Sequence, residues 1–224
     1  MAHPYHHALS SCKRFGGRAD DYLALHAWFD ASKAHIADAR HRCLRHQSYG
    51  IFLAEQMFGT TFSNSSGNQI AVRPVAEQHV QEDFSFIPSV QQCFKHLPLE
   101  RWLCQNHETD TPSVHARWSV KTFGGEPEDY LPIHRFLESS RLHLPDARHR
   151  VLLHTTFGVQ TVEEIFGLEL STSVPTRLVA ENHIRADLGF IPTIEEALDS
   201  LPLEPWMFRG AQALMRKLGR KVPI

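Results

Sequence analysis

Helix-like spacing of apolar residues runs from His7 to Phe15, stops at Gly16-Gly17, resumes near Asp20 and continues to Gly59. There the period changes. Thr60 to Phe62, a polar Asn64-Ser65-Ser66-Gly67-Asn68 turn and Gln69 to Arg73 predict a β-hairpin. Helical spacing returns from Val75 to Phe84, and Ile87-Pro88 precedes a last short helix. This succession then occurs a second time. His7 to Gly59 aligns without a gap with His115 to Gly167, an offset of 108 residues (7 to 115), and somewhat under half of the paired residues are identical. Beyond the hairpin the offset falls to 104 (Glu77 to Glu181), so the second copy is shorter at the hairpin tip, where a surface loop tolerates deletion. A repeat of this kind must be recognised before any fold is assigned. The expected fold is mainly α with a small β-hairpin per unit (α+β). The expected organisation is a first repeat over 1–104, a linker over 105–112, a second repeat over 113–207 and a basic tail over 208–224, with the two repeats packed as a pseudo-twofold pair.

Local punctuation sharpens the elements. Gly16-Gly17 and Gly124-Gly125 close the first helix of each copy, and Gly59 and Gly167 stop a long third one. Asp20-Asp21 and Glu128-Asp129 open the second helix, where negative charge meets the positive end of the helix dipole. Pro132 is placed in the first turn of that helix. The third helix carries Asp38-Ala39-Arg40-His41-Arg42 and its twin Asp146-Ala147-Arg148-His149-Arg150, and Pro145 predicts that it begins there and continues to Phe58 and Phe166. Ser89 with Gln92 and Thr193 with Glu196 have capping-box spacing. Trp102 and Trp206 follow as apolar plugs.

Composition narrows the class. A chain of 224 residues with 42% hydrophobic and 21% charged residues is ordinary for a globular protein, and no apolar run approaches the roughly 20 residues needed to span a bilayer. The start lacks a basic and apolar leader pattern, so a cytoplasmic location is expected. Net charge of −2 gives no general attraction to nucleic acid, although Arg209, Arg216, Lys217, Arg220 and Lys221 make the tail basic; a solvated terminal helix is the preferred reading of it. Cys12, Cys43, Cys93 and Cys104 stand opposite Val120, Val151, Ala197 and Phe208, an exchange that reads as core filling rather than disulfide or thiolate chemistry.

The unusual feature is 16 histidines. His7, His26, His35, Asp38, His41, His46, Glu55, Glu77, His79 and Asp83 all recur identically in the second copy, whereas Trp28 becomes Phe136 and Cys becomes Val. At 100° per residue His35, Asp38, Arg42 and His46 fall on one helix stripe, as do His143, Asp146, Arg150 and His154. Asp38 with His41 and Asp146 with His149 make carboxylate-x-x-His pairs, and His79-Asp83 and His183-Asp187 are i, i+4 pairs. Such donors suit zinc, manganese or iron. The metal candidates are His35, Asp38, His41, His46 and His79 with His143, Asp146, His149, His154 and His183. Glu77, Asp83, Glu181 and Asp187 are candidate bases beside a metal-bound water, and Arg42 and Arg150 candidate anion binders. The leading expectation is therefore a metal-binding protein, extending to a metal-dependent hydrolase of a phosphorylated small molecule or nucleotide. The alternative is a non-catalytic interaction or ligand-sequestering module in which His-Asp pairs clamp helices and the arginines pair with neighbouring acids. No P-loop, GxGxxG, GxSxG or HExxH motif is present.

The run from His7 to Gly17, Asp21-Tyr22-Leu23, Asp38-Ala39-Arg40-His41-Arg42, Phe58-Gly59 and Glu77-Gln78-His79-Val80 with Asp83 resembles a small domain family of unknown function found in bacteria and phages. The resemblance covers nearly the whole chain as two tandem copies and brings no activity, cofactor or partner with it. The second copy departs from the pattern by lacking the Asn64 to Gly67 turn.

Overall fold

A computed structural model describes residues 3–104 and 111–208. The expected linker core and the basic tail from 209 lie outside the described residues. By contacts the described chain divides into a first unit of residues 3–95 with 202–208, and a second of 96–104 with 111–201. Among the described residues no helix is long and apolar enough to cross a membrane.

In the first unit α1 (Pro4–Phe15) starts on a proline, whose missing N–H costs nothing at a helix start, and ends at Gly16 with φ 80°. It packs on α2 (Asp20–Ala31), and the Tyr22 hydroxyl donates to the Gly16 carbonyl at 2.8 Å to fix the turn between them. Short 3-10 turns at Ser32–Ala34 and Ala39–His41 lead into α3 (Arg42–Arg45) and α4 (Ser48–Phe58). The hairpin pairs β1 (Thr61–Ser63) with β2 (Gln69–Ala71), Thr61 opposite Ala71. Then come α5 (Val72–Phe84) and α6 (Val90–Phe94), the latter started by the expected Ser89-Gln92 capping box.

The second unit repeats the order: α7 (Pro112–Phe123), α8 (Pro127–Glu138), 3-10 turns at Ser139–Leu142 and Ala147–His149, α9 (Arg150–Leu153), α10 (Thr156–Phe166), α11 (Thr176–Leu188) and α12 (Ile194–Leu198). Its shortened hairpin keeps a single antiparallel bridge, Glu169 to Pro175. Proline has no N–H to extend a ladder.

The structure differs from the sequence pattern in three places. The third helix is not continuous. Asp38 and Asp146 cap 3-10 turns by accepting the N–H of Arg40 and Arg148, His46 and His154 end α3 and α9 outside helical geometry, and a new helix begins at Ser48 or Thr156. The stripe of His35, Asp38, Arg42 and His46, and its twin, therefore does not exist as one helix face. Gln47 restarts the chain by accepting from the N–H groups of Tyr49 and Gly50. Gly50 and Gly158 are required there: a Cβ would stand 1.8 Å from the Arg45 carbonyl oxygen or 1.9 Å from that of Leu153. Second, Pro132 lies inside α8 beyond the first turn, because that helix already starts at Pro127. Third, Cys43 and Cys93 fill the core as expected, but Cys104 is exposed; all four cysteines are free thiols.

Each core is finished by the terminal turn of the other repeat. Trp206 packs edge-on against Phe84 at 5.4 Å in the first unit, and Trp102 packs against Phe190 at 6.0 Å in the second. Arg42 donates to the Met207 carbonyl and Arg150 to the Leu103 carbonyl, both at 2.6 Å. The plugs are apolar, as the sequence suggests, but they serve the other copy.

Candidate metal centre

Three parts of each unit converge. The end of α2 supplies Asp30, the break after α3 supplies His46, and one face of α5 supplies His79 and Asp83. In the second unit Glu138, His154, His183 and Asp187 take these places. In each group four ligand atoms lie within 4.8 Å of one another. In the second unit His154 Nε2 is 3.1 Å from Asp187 Oδ2, 3.1 Å from His183 Nε2 and 3.3 Å from Glu138 Oε1. His183 Nε2 is 3.4 Å from the same Glu138 oxygen and 3.7 Å from the same Asp187 oxygen. A tetrahedron built on zinc bonds of about 2.0–2.1 Å has edges of about 3.3–3.4 Å, so these separations bracket it. In the first unit His46 Nε2 is 3.0 Å from His79 Nε2, 3.4 Å from Asp83 Oδ2 and 3.7 Å from Asp30 Oδ1. The break that replaces the expected continuous helix is what turns His46 and His154 inward.

An outer layer holds these side chains. His79 Nδ1 meets His26 Nδ1 at 3.0 Å, and His26 Nε2 meets the Ser11 hydroxyl at 2.9 Å. His183, His134 and Ser119 repeat the chain with the same distances. An imidazole that gives one nitrogen to a metal carries its proton on the other, and a fixed partner for that proton sets the tautomer. Here His79 would donate through Nδ1 to His26, and His26 through Nε2 to Ser11, leaving His79 Nε2 free for a cation. The second oxygen of each α5 or α11 carboxylate faces a further histidine: His7 Nε2 is 3.5 Å from Asp83 Oδ1, and His115 Nε2 3.2 Å from Asp187 Oδ1. His41 bonds the Ser32 hydroxyl and stands edge-on to His46, while His149 Nε2 lies 3.8 Å from Glu138.

Burial sets the protonation of this layer. It pushes His26 down to about 3, His134 to about 2 and His183 to about 4, the last despite an opposing bond from Glu138. These rings are neutral at physiological pH, the state that a ligand or its supporting imidazole must have. Burial would raise Asp83, but bonds from His46 and His7 reverse it and hold the carboxyl far below the usual range. Asp187 is lowered in the same way, against burial, by His115 and His154. His7 moves the other way: burial opposes its charge, yet Asp83 and Glu82 raise it to about 9.

Of the residues singled out in the sequence, His46, His79 and Asp83 meet, as do His154, His183 and Asp187. His41 and His149 stand one step outside. His35 and His143 are half-buried in the turn before the caps and do not join the clusters, while Asp38 and Asp146 bond Arg40 and Arg148. Glu77 and Glu181 also lie outside the clusters, Glu181 being paired with Arg185 at 3.2 Å. Arg42 and Arg150 reach the carboxylates themselves, Arg42 lying 3.2 Å from Asp83 and Arg150 3.8 Å from Asp187. Arg73 and Arg177 pair with Glu55 and Glu163. The arginines thus engage acids of the fold, as the alternative reading of the sequence holds. Sequence reasoning missed Asp30 and Glu138. They occupy equivalent positions, but the extra methylene hid them from a search for identical residues; a search for retained carboxylates would have found them.

A family model described as Domain of unknown function (DUF6915) matches residues 2–103 and again 110–207. No curated protein and no solved structure matches the chain.

Proposed function

Given that the chain belongs, in both of its halves, to the DUF6915 family of unknown function, we propose that each repeat is a metal-binding helical unit holding one divalent ion. The ligands are Asp30, His46, His79 and Asp83 in the first unit and Glu138, His154, His183 and Asp187 in the second. The observation that carries this reading is the near-tetrahedral spacing of the second group, with separations of 3.1–3.7 Å among two imidazole nitrogens and two carboxylate oxygens. Two imidazoles and two carboxylates so placed in a buried site repel unless a cation or a proton stands between them; without an ion that proton sits on His154, which burial would lower but Asp187 and Glu138 raise. Two nitrogen and two oxygen donors at tetrahedral spacing favour zinc, with manganese or iron as the competitors.

Hydrolysis of a phosphorylated substrate has weaker support. A catalytic ion needs an open coordination position, whereas His46, His79, His154 and His183 are fully buried. Arg42 and Arg150, the residues that would receive a phosphate, are occupied with Asp83, Asp187 and backbone carbonyls. The ion in this proposal braces the unit.

One observation favours a metal-free reading of the first unit. Lys33 lies 2.6 Å from Asp30, Arg42 3.2 Å from Asp83, and His7 also faces Asp83, so positive charge already balances both carboxylates. In the second unit the arginines stand further off, Arg150 at 3.8 Å from Asp187 and Arg141 at 4.0 Å from Glu138, and histidines lie nearest, His154 at 3.1 Å and His115 at 3.2 Å from Asp187.

The test is elemental analysis of the full chain after stripping and reloading with zinc, manganese or iron(II). Two bound ions per chain are expected, one removed by His46→Ala with His79→Ala and the other by His154→Ala with His183→Ala. A folded protein that takes up none of the three metals would refute the proposal.

A further inference from the structure

The two centres differ in what lies between them and solvent. Beside the first, a cleft of about 450 Å³ is lined by Ser10, Lys13, Arg14, Gln78, Gln81 and Glu82. Its polar groups are linked to one another: Glu82 accepts from Ser10 at 2.5 Å and from Gln78 at 2.7 Å, and its other oxygen lies 2.6 Å from His7 Nδ1. The His7 ring in turn lies 3.5 Å from Asp83 through Nε2, and its centroid is 4.3 Å from that of His79. A line of hydrogen-bonded side chains thus runs from the cleft through Glu82 to His7, whose ring then meets two of the four candidate ligands by a charge contact and a ring contact.

The second repeat has the ligands but not the line. At the positions of Ser10, Gln78 and Glu82 stand Trp118, Asn182 and Ala186. Ala186 offers no carboxylate to His115, and the Trp118 ring packs edge-on against His115 at 5.2 Å. An indole in place of a hydroxyl puts an apolar face where the first unit has polar side chains.

We infer that the Ser10, Gln78 and Glu82 cleft is the route by which a divalent ion reaches and leaves the first centre, and that Trp118 and Ala186 close the corresponding route to the second, so that the two centres exchange metal at unequal rates. Glu82 offers a carboxylate on which an ion can change ligands before His7 yields. Lys13 and Arg14 at the rim attract a small anionic carrier or chelator that brings or takes the ion. This inference rests on the metal-binding reading above.

The test is the release of zinc from the loaded full-length chain into excess anionic chelator. Two phases of one zinc each are expected, their rates roughly tenfold or more apart, the size of effect exerted by groups just outside a metal's ligands. The fast phase should vanish from the His46→Ala, His79→Ala variant. Ser10→Trp with Glu82→Ala should slow it towards the second rate, and Trp118→Ser with Ala186→Glu should speed the slow one. Each exchanged variant is scored only while it retains two zinc ions per chain, and if the first pair fails to fold the reciprocal pair decides. Two zinc ions leaving in a single phase, or two phases that neither exchange alters, would overturn the route while leaving the metal sites in place. A chain that binds no zinc removes both.

Discussion

Asp30 and Glu138 differ by one methylene, and the consequences are local and measurable. The shorter side chain holds its oxygen 3.7 Å from His46, where Glu138 comes within 3.3 Å of His154. Lys33 takes the same Asp30 oxygen at 2.6 Å, whereas Arg141 stays 4.0 Å from Glu138. An ion bound as proposed in the first cluster would therefore displace an ammonium group, and one in the second would not. A partly exposed pair of this kind is worth up to about 1 kcal/mol, so Lys33→Met should tighten zinc binding in the first centre by roughly fivefold and leave the second unchanged. Competition titration against a chromophoric chelator measures this; an unchanged first constant would mean that Lys33 swings clear of the ion at no cost. Part of this chemistry was legible. The His79-Asp83 and His183-Asp187 spacing puts both groups on one helix face from sequence alone. That Asp30 would face them was not, because a residue at the end of α2 shares no periodicity with α5.

The break between α3 and α4, repeated between α9 and α10, is what brings His46 and His154 into the clusters, since a continuous helix would carry each past its site. Gly50 holds it: its missing Cβ lets the start of α4 lie against the Arg45 carbonyl. Gly50→Ala should destabilise the fold by about 1–3 kcal/mol, the usual cost of overpacking, and Gly158→Ala should do the same to the second unit. Denaturant midpoints report it, and a change within experimental error would show that the backbone relaxes freely there. Pro132 works in the opposite sense. Inside α8 it removes the N–H bond to Glu128 and crowds that carbonyl, while the first repeat has Ala24 at this position. Pro132→Ala should therefore stabilise the second unit by about 1–3 kcal/mol, seen as a higher thermal midpoint; a lower midpoint would mean that α8 is bent there for packing. The capping boxes and glycine stops were readable because each is a contact between residues a few positions apart. The helix break was not, since glutamine is an unusual cap and the clash at Gly50 arises only after the chain has turned.

Each unit depends on residues from both repeats. Met207 is fully buried in the first unit, and its carbonyl accepts the bond from Arg42 that helps place Asp83. Met207→Ala should cost about 3 kcal/mol of core packing, felt by the first repeat although the residue lies in the second. Hydrogen exchange locates the loss: α5 should lose protection while α11 keeps it, and the reverse would contradict the division of the chain into these units.

The sequence by itself determined the duplication, the mainly helical class with its small hairpin, the capping boxes and glycine stops, and the His-Asp pairs on α5 and α11, because all of these are periodicities or short-range contacts written along the chain. Only the tertiary structure decided which other groups join those pairs, that the apparent helix stripe is broken, and that each terminal turn completes the opposite core. Those outcomes depend on where separate elements come to rest against one another, and that is fixed by packing rather than by spacing.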